Sequence, residues 1–143
     1  MKKSVVLFAV FFIFFAANAF SQQVASLKSN IVSEKIAKYK IIEGNYLSGL
    51  SSDVHHLKVS CAYFLGDIKS QKALIPLMKM FRTEKDPGAK LVAAWSLLKI
   101  GDPRGVYLVK SSINNNEYKT INSMLSVLYN DYCLKNFGRI DKN

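Results

Sequence analysis

Apolar positions between residues 53 and 133 recur with two periods at once. The short period is helical: Leu57, Cys61, Phe64, Leu65 and Ile68 are separated by steps of one, three and four, so they share one face of an α-helix. The long period is 32 residues. Adding it once gives Ala89, Ala93, Ser96, Leu97 and Ile100, and adding it again gives Ile121, Leu125, Leu128, Tyr129 and Tyr132. A second set behaves in the same way, with Leu74, Leu77 and Phe81 matched by Val106, Val109 and Ile113. Each unit therefore reads as a pair of amphipathic helices, and no segment shows the period-two alternation of a half-buried strand. The expected fold class is all-α, an α-solenoid of stacked antiparallel helix pairs with about 2.5 to 3 units over residues 53–137.

The residues between the apolar runs agree with this division. Asp102-Pro103 and Asp86-Pro87 each place a capping carboxylate before a proline at the first helical position, where a missing N–H costs nothing. Ser70 is expected to cap in the same way, Gly66 and Gly101 to mark turns, and "NNNE" at 114–117 to form a polar connector. Pro76 falls about two turns into its expected helix and predicts a kink there.

Ahead of the repeats, Val32, Ile36, Tyr39, Tyr46 and Leu50 form a stripe at helical spacing, with Gly44-Asn45 as the place for a break. A repeat cannot bury its apolar face alone, so residues 22–52 read as a capping helix packed on the first unit. At the other end "DYCLKNFGRIDKN" is too short for a full pair and is expected to fray, most of all over 138–143.

These residues also carry a resemblance. "LKVSCAYFLGDIKSQKALIPL" and "AKLVAAWSLLKIGDPRGVYLV" resemble HEAT repeats, in particular the short HEAT-like type of bilin lyases and bacterial scaffold proteins. The matching features are Lys58 and Lys90, the small pairs Cys61-Ala62 and Ala93-Ala94, then Phe64-Leu65 and Ser96-Leu97, and the "IGDPRG" turn at 100–105. The likeness covers 53–113 well and 118–133 loosely, and the period is shorter than the ~40 to 47 residues usual for such units. Tetratricopeptide units have a closer period, but their Gly and Tyr spacing after Trp95 is missing.

The first 21 residues stand apart from this pattern. Lys2 and Lys3 precede an apolar run from Val5 to Phe15, and Ala17-Asn18-Ala19 is a small-x-small site, which together predict a cleaved secretory signal peptide. The run is too short for the ~20 residues of a bilayer span. No cysteine lies near the cleavage site, which argues against a lipid anchor. The expected mature chain begins near Phe20 or Gln22, is periplasmic or secreted, and has no membrane span. About 122 of the 143 residues remain, enough for one domain. The formal charge of +10 becomes +8 without Lys2 and Lys3, spread along the chain, which favours solubility and acidic partners.

Signals for chemistry are few. His55 and His56 are neighbours, and adjacent helical residues point about 100° apart, so they are not expected to grip one metal. No metal spacing, phosphate-binding glycine loop or nucleophile motif is present, and neither an enzyme nor a cofactor is expected. The repeat register separates Cys61 from Cys133 by about two units, too far for the ~7 Å Cα spacing of a disulfide. Cys61 is expected in the core, and Cys133 semi-exposed and available to another chain.

What remains is surface. In HEAT-like folds the second helix of each pair lines the concave side, which implies a binding stripe of Ile75, Met78, Lys79 and Arg82 on one unit and Arg104, Tyr107 and Lys110 on the next. The expected function is a non-catalytic scaffold that holds a protein partner with an acidic surface on this stripe. The alternatives are a HEAT-like lyase or chromophore-handling protein, and a basic solenoid that binds polyanions. Nucleic acid is not expected for an exported protein without a single-face Lys/Arg cluster.

Overall fold

The computed structural model describes residues 30–113 and 119–138, together with Gln23 and Lys28. The expected signal peptide, the connector at 114–117 and most of the tail lie outside the described residues. Helix α1 runs over 30–50 without a break at Gly44-Asn45, followed by α2 (His55–Asp67), a 3-10 turn (Gln71–Ala73), α3 (Leu74–Thr83), α4 (Pro87–Ile100), α5 (Pro103–Ser112) and α6 (Lys119–Phe137). The fold is all-α, with no strand among the described residues.

Two compact units divide at Ile42 and Glu43. In the first, residues 30–42 are helical and Val32, Ile36 and Tyr39 are each more than half exposed. Of the stripe expected from spacing, Tyr46 and Leu50 belong to the second unit and join its core.

The second unit, Glu43 onward, is organised around α4. This helix packs against α2, α3, α5 and α6, while α5 also packs on α6 and on α3. A helix with neighbours on so many sides must be apolar nearly all round, which is what "LVAAWSLL" supplies. The 32-residue register is visible in the burial: Cys61, Ala93 and Leu125 are all buried, as are Leu65 and Leu97, and Ala89 and Ile121. Leu57 and Phe64 depart from it, at 48% and 43% exposed. In α2, at the edge of the packing, Phe64 instead stacks on Tyr46, ring centroids 5.2 Å apart.

Asp86 accepts from the Ala89 N–H at 2.7 Å and Asp102 from the Arg104 N–H at 2.9 Å, so both expected caps form. Such caps contribute about 1 kcal/mol each. Three other local expectations need correction. Ser70 does not cap: its hydroxyl donates to Glu43 Oε1 at 2.6 Å. Gly66 is not a turn residue but lies inside α2, buried against Ser96 of α4. The left-handed turn after α2 is made by Lys69, with φ 53°, and Gly101 makes the equivalent turn 32 residues later with φ 76°. The Ser70 N–H reaches Leu65 O and the Lys69 N–H reaches Gly66 O, each at 3.0 Å, closing α2 in a Schellman motif.

Pro76 sits in the first turn of α3, because the preceding residues form a 3-10 turn rather than an earlier helical turn. The proline ring therefore removes little helical hydrogen bonding, and a mid-helix kink is not the outcome. At the far end, "DYCLKNF" continues α6 to Phe137 instead of fraying, with Cys133 only 3% exposed. Burial of Cys133 replaces the semi-exposed thiol expected from the sequence; both cysteines are free.

Ion pairs fasten connections in this unit. Glu43 accepts from Ser70 and from Lys72 Nζ at 2.7 Å, and Lys58 Nζ lies 2.8 Å from Glu84. The Lys72 hydrogen bond, then that of Ser70, holds the Glu43 carboxyl below the usual carboxylate range, and Lys58 does the same for Glu84. A carboxyl with a lower value in the folded than in the unfolded chain binds fewer protons when folded. Its contribution is complete at neutral pH and disappears as the pH falls from the ordinary carboxylate range through the folded value. Thermal melts should therefore be flat from neutral pH down to that range and fall below it. Glu43→Gln should melt lower at neutral pH and lose less on acidification; equal acid slopes for the two proteins would remove Glu43 as a contributor.

Candidate functional site

The residues of the expected second-helix stripe lie on α3 and α5, which are in contact. Ile75 and Tyr107 are 61% and 72% exposed, Lys79 and Arg82 are exposed, and Met78 is half-buried against the core. Two members of the stripe are already engaged. Arg104 closes on its own cap residue, with Nε 3.0 Å and Nη2 3.1 Å from the Asp102 carboxylate, which the Arg104 side chain and then its backbone N–H hold below the usual range. Lys110 Nζ lies 5.9 Å from the centre of the Tyr129 ring of α6.

A second surface was not found by following the core positions. A groove of about 510 Å³ is lined by Tyr63 of α2, Leu91, Val92 and Trp95 of α4, and Met124, Val127 and Leu128 of α6, with Ser123 beside them. Helices at this spacing leave the side chains that point away from the core in a row. Tyr63 and Trp95 stack face to face at 4.6 Å, and Val127, 68% exposed, continues the line. These three positions are themselves 32 residues apart, as are Val92 and Met124. That ladder is the sequence signal for the groove: α4 carries more apolar residues than one core-facing stripe needs.

The groove adjoins a second hollow of about 450 Å³ that shares Trp95 and Leu128 but is polar at its rim, with Lys69, Lys99, Asp131 and Lys135. Lys99 Nζ lies 5.0 Å above the Trp95 ring, at the junction of the apolar and charged parts, and Lys135 donates to Asp131 at 2.6 Å. A cation held over an indole face is favourably placed without a carboxylate partner.

His55 Nε2 is 3.5 Å from the Asp86 carboxylate that caps α4, and the His56 ring meets it edge-on at 5.6 Å. Among the described residues no group of three or more His, Cys, Asp and Glu is placed to hold a metal ion. Burial pushes the Cys61 thiol up, away from the reactive thiolate. Among the described residues no helix is long and apolar enough to cross a membrane. No known family model matches this chain, and no curated protein matches it.

Proposed function

We propose that this chain is an exported, non-catalytic scaffold of HEAT-like helical repeats, an α-solenoid that binds a protein partner. Support for the repeat reading comes from the shared 32-residue register of buried positions and of the left-handed turn residues Lys69 and Gly101. The observation that carries the binding reading is the groove along α2, α4 and α6, whose aromatic and aliphatic lining stays open to solvent at Tyr63, Met124 and Val127. Clustered exposed apolar side chains of this kind mark interaction surfaces, and a groove between helices can receive the apolar face of another helix.

The second-helix stripe is a second reading, favoured by the exposure of Ile75 and Tyr107 among Lys79, Arg82 and Lys110. Paired variants separate the two faces. Met124→Glu with Val127→Glu should abolish cross-linked capture of the partner while leaving helical content unchanged, because both side chains are already exposed. Tyr107→Ala with Lys79→Glu should leave capture intact. The reverse pattern transfers the function to the second helices, and capture unaffected by either pair removes both faces. Export is checked on the same preparation by N-terminal sequencing, expected to begin near Phe20 or Gln22.

A further inference from the structure

The groove and the hollow beside it differ in chemistry and share Trp95 and Leu128, so one occupant passing along α4 and α6 meets first an apolar wall and then a set of ammonium groups. Lys69, Lys99 and Lys135 stand there against the single carboxylate of Asp131, which already accepts from Lys135. Lys69 is held at the rim by its left-handed backbone, and Lys99 by the Trp95 ring. We propose that the groove takes an acidic amphipathic segment of a protein partner, with its apolar face over Tyr63, Trp95 and Val127 and its carboxylates over Lys69, Lys99 and Lys135. This rests on the reading of the groove as the partner site, and it adds the charge and polarity of what binds.

Charge complementarity selects the acidic segment. The surplus of ammonium groups at one end of an otherwise apolar trough fixes both the sign of the partner and its direction along the helices, since the reverse placement sets carboxylates against Leu91 and Val92 without a counter-charge. The openness of the wall separates a protein segment from a lipid chain. Small-molecule sites enclose most of their ligand, whereas Met124 here keeps nearly half of its surface in water and Val127 more than half. A helix with one apolar face and one solvated face suits such a trough.

Trp95 is the only tryptophan in the chain and lines both hollows, so its emission reports occupancy directly. The full-length protein is titrated with a leucine/glutamate amphipathic helical peptide and with its leucine/lysine counterpart. The acidic peptide should shift Trp95 emission to the blue and bind about tenfold more tightly than the basic one, as expected for one to three partly exposed charge pairs. Lys99→Glu with Lys135→Glu should abolish that preference, while Lys38→Glu with Lys85→Glu, an equal change of net charge at exposed sites that do not line the groove, should preserve it. Equal binding of the two peptides overturns the charge selection and leaves the groove as a docking site. Equal loss in both variant pairs assigns the preference to the overall charge and overturns it too. Failure of both peptides to move Trp95 emission, with helical content intact, removes the groove itself. A stronger emission shift with phosphatidylglycerol vesicles than with the acidic peptide replaces the protein segment by a lipid surface.

Discussion

Leu97→Ala is expected to lower unfolding free energy by about 3 to 4 kcal/mol, close to the middle of the range for truncating a fully buried leucine. Leu97 is completely buried on α4, the helix against which α2, α3, α5 and α6 all pack. A cavity there is not closed by one helix moving alone, because α5 is held by α3 and α6 as well as by α4. Gly105 of α5 adds to this, since a Cβ on it would lie 3.1 Å from Leu97 Cδ2 and 3.2 Å from Leu74 Cδ1, so three helices meet tightly at this side chain. For a domain of this size the loss lowers Tm by roughly 12 to 25 °C, and denaturant unfolding with an unchanged m-value is the measurement. A loss near the cost of an exposed leucine, under about 1 kcal/mol, would mean that α4 is not the centre of the fold.

Gly66→Ala and Gly44→Ala should move stability in opposite directions, although both replace a helical glycine by the best helix former. By propensity alone each gains about 1 kcal/mol. Gly44 meets nothing within 4 Å, so that gain should be realised. Gly66 lies where α2 crosses α4, and a Cβ there would sit 2.6 Å from Ser96 Cα, a backbone atom that cannot swing aside. The two helices must separate, and the Ser96 hydroxyl, 2.8 Å from Ala62 O across this crossing and 2.8 Å from Val92 O within α4, keeps only the acceptor of its own helix. Overpacking against a backbone atom lies toward the upper end of about 1 to 3 kcal/mol and outweighs the propensity gain of about 1 kcal/mol. The expected net effect is a loss of about 2 kcal/mol in chemical denaturation. A stabilised Gly66→Ala protein would contradict the close crossing.

Much of this fold was legible in the chain because core burial repeats with the helical period. Cys61, Ala93 and Leu125 were recognisable as one recurring position from spacing alone, and Asp86-Pro87 and Asp102-Pro103 announced their helix starts through residue types that suit little else. Local signals of this kind travel with a few neighbouring residues and need no knowledge of what lies opposite. Gly66 shows where they stop. A glycine one residue before the end of a helix looks like punctuation, and only the approach of Ser96 reveals that its missing side chain serves packing. Lys69, a poor candidate for a left-handed turn by type, is recognised only by its equivalence to Gly101.

The groove divides in the same way. Tyr63, Trp95 and Val127 were present in the sequence as a second ladder at the 32-residue spacing, but period alone does not say which of two apolar stripes on α4 meets the core. Sequence by itself determined helical class, the register of the repeating positions and the caps at Asp86 and Asp102, because these depend on backbone hydrogen bonding and on side-chain direction along a single helix. Tertiary structure alone decided which faces are covered, which glycine is a spacer, and that Trp95 joins an apolar trough to Lys69, Lys99 and Lys135. Those outcomes depend on residues of different helices, far apart in the chain, arriving close to one another, and the neighbours that decide them are set by how helices pack rather than by how any one of them is written.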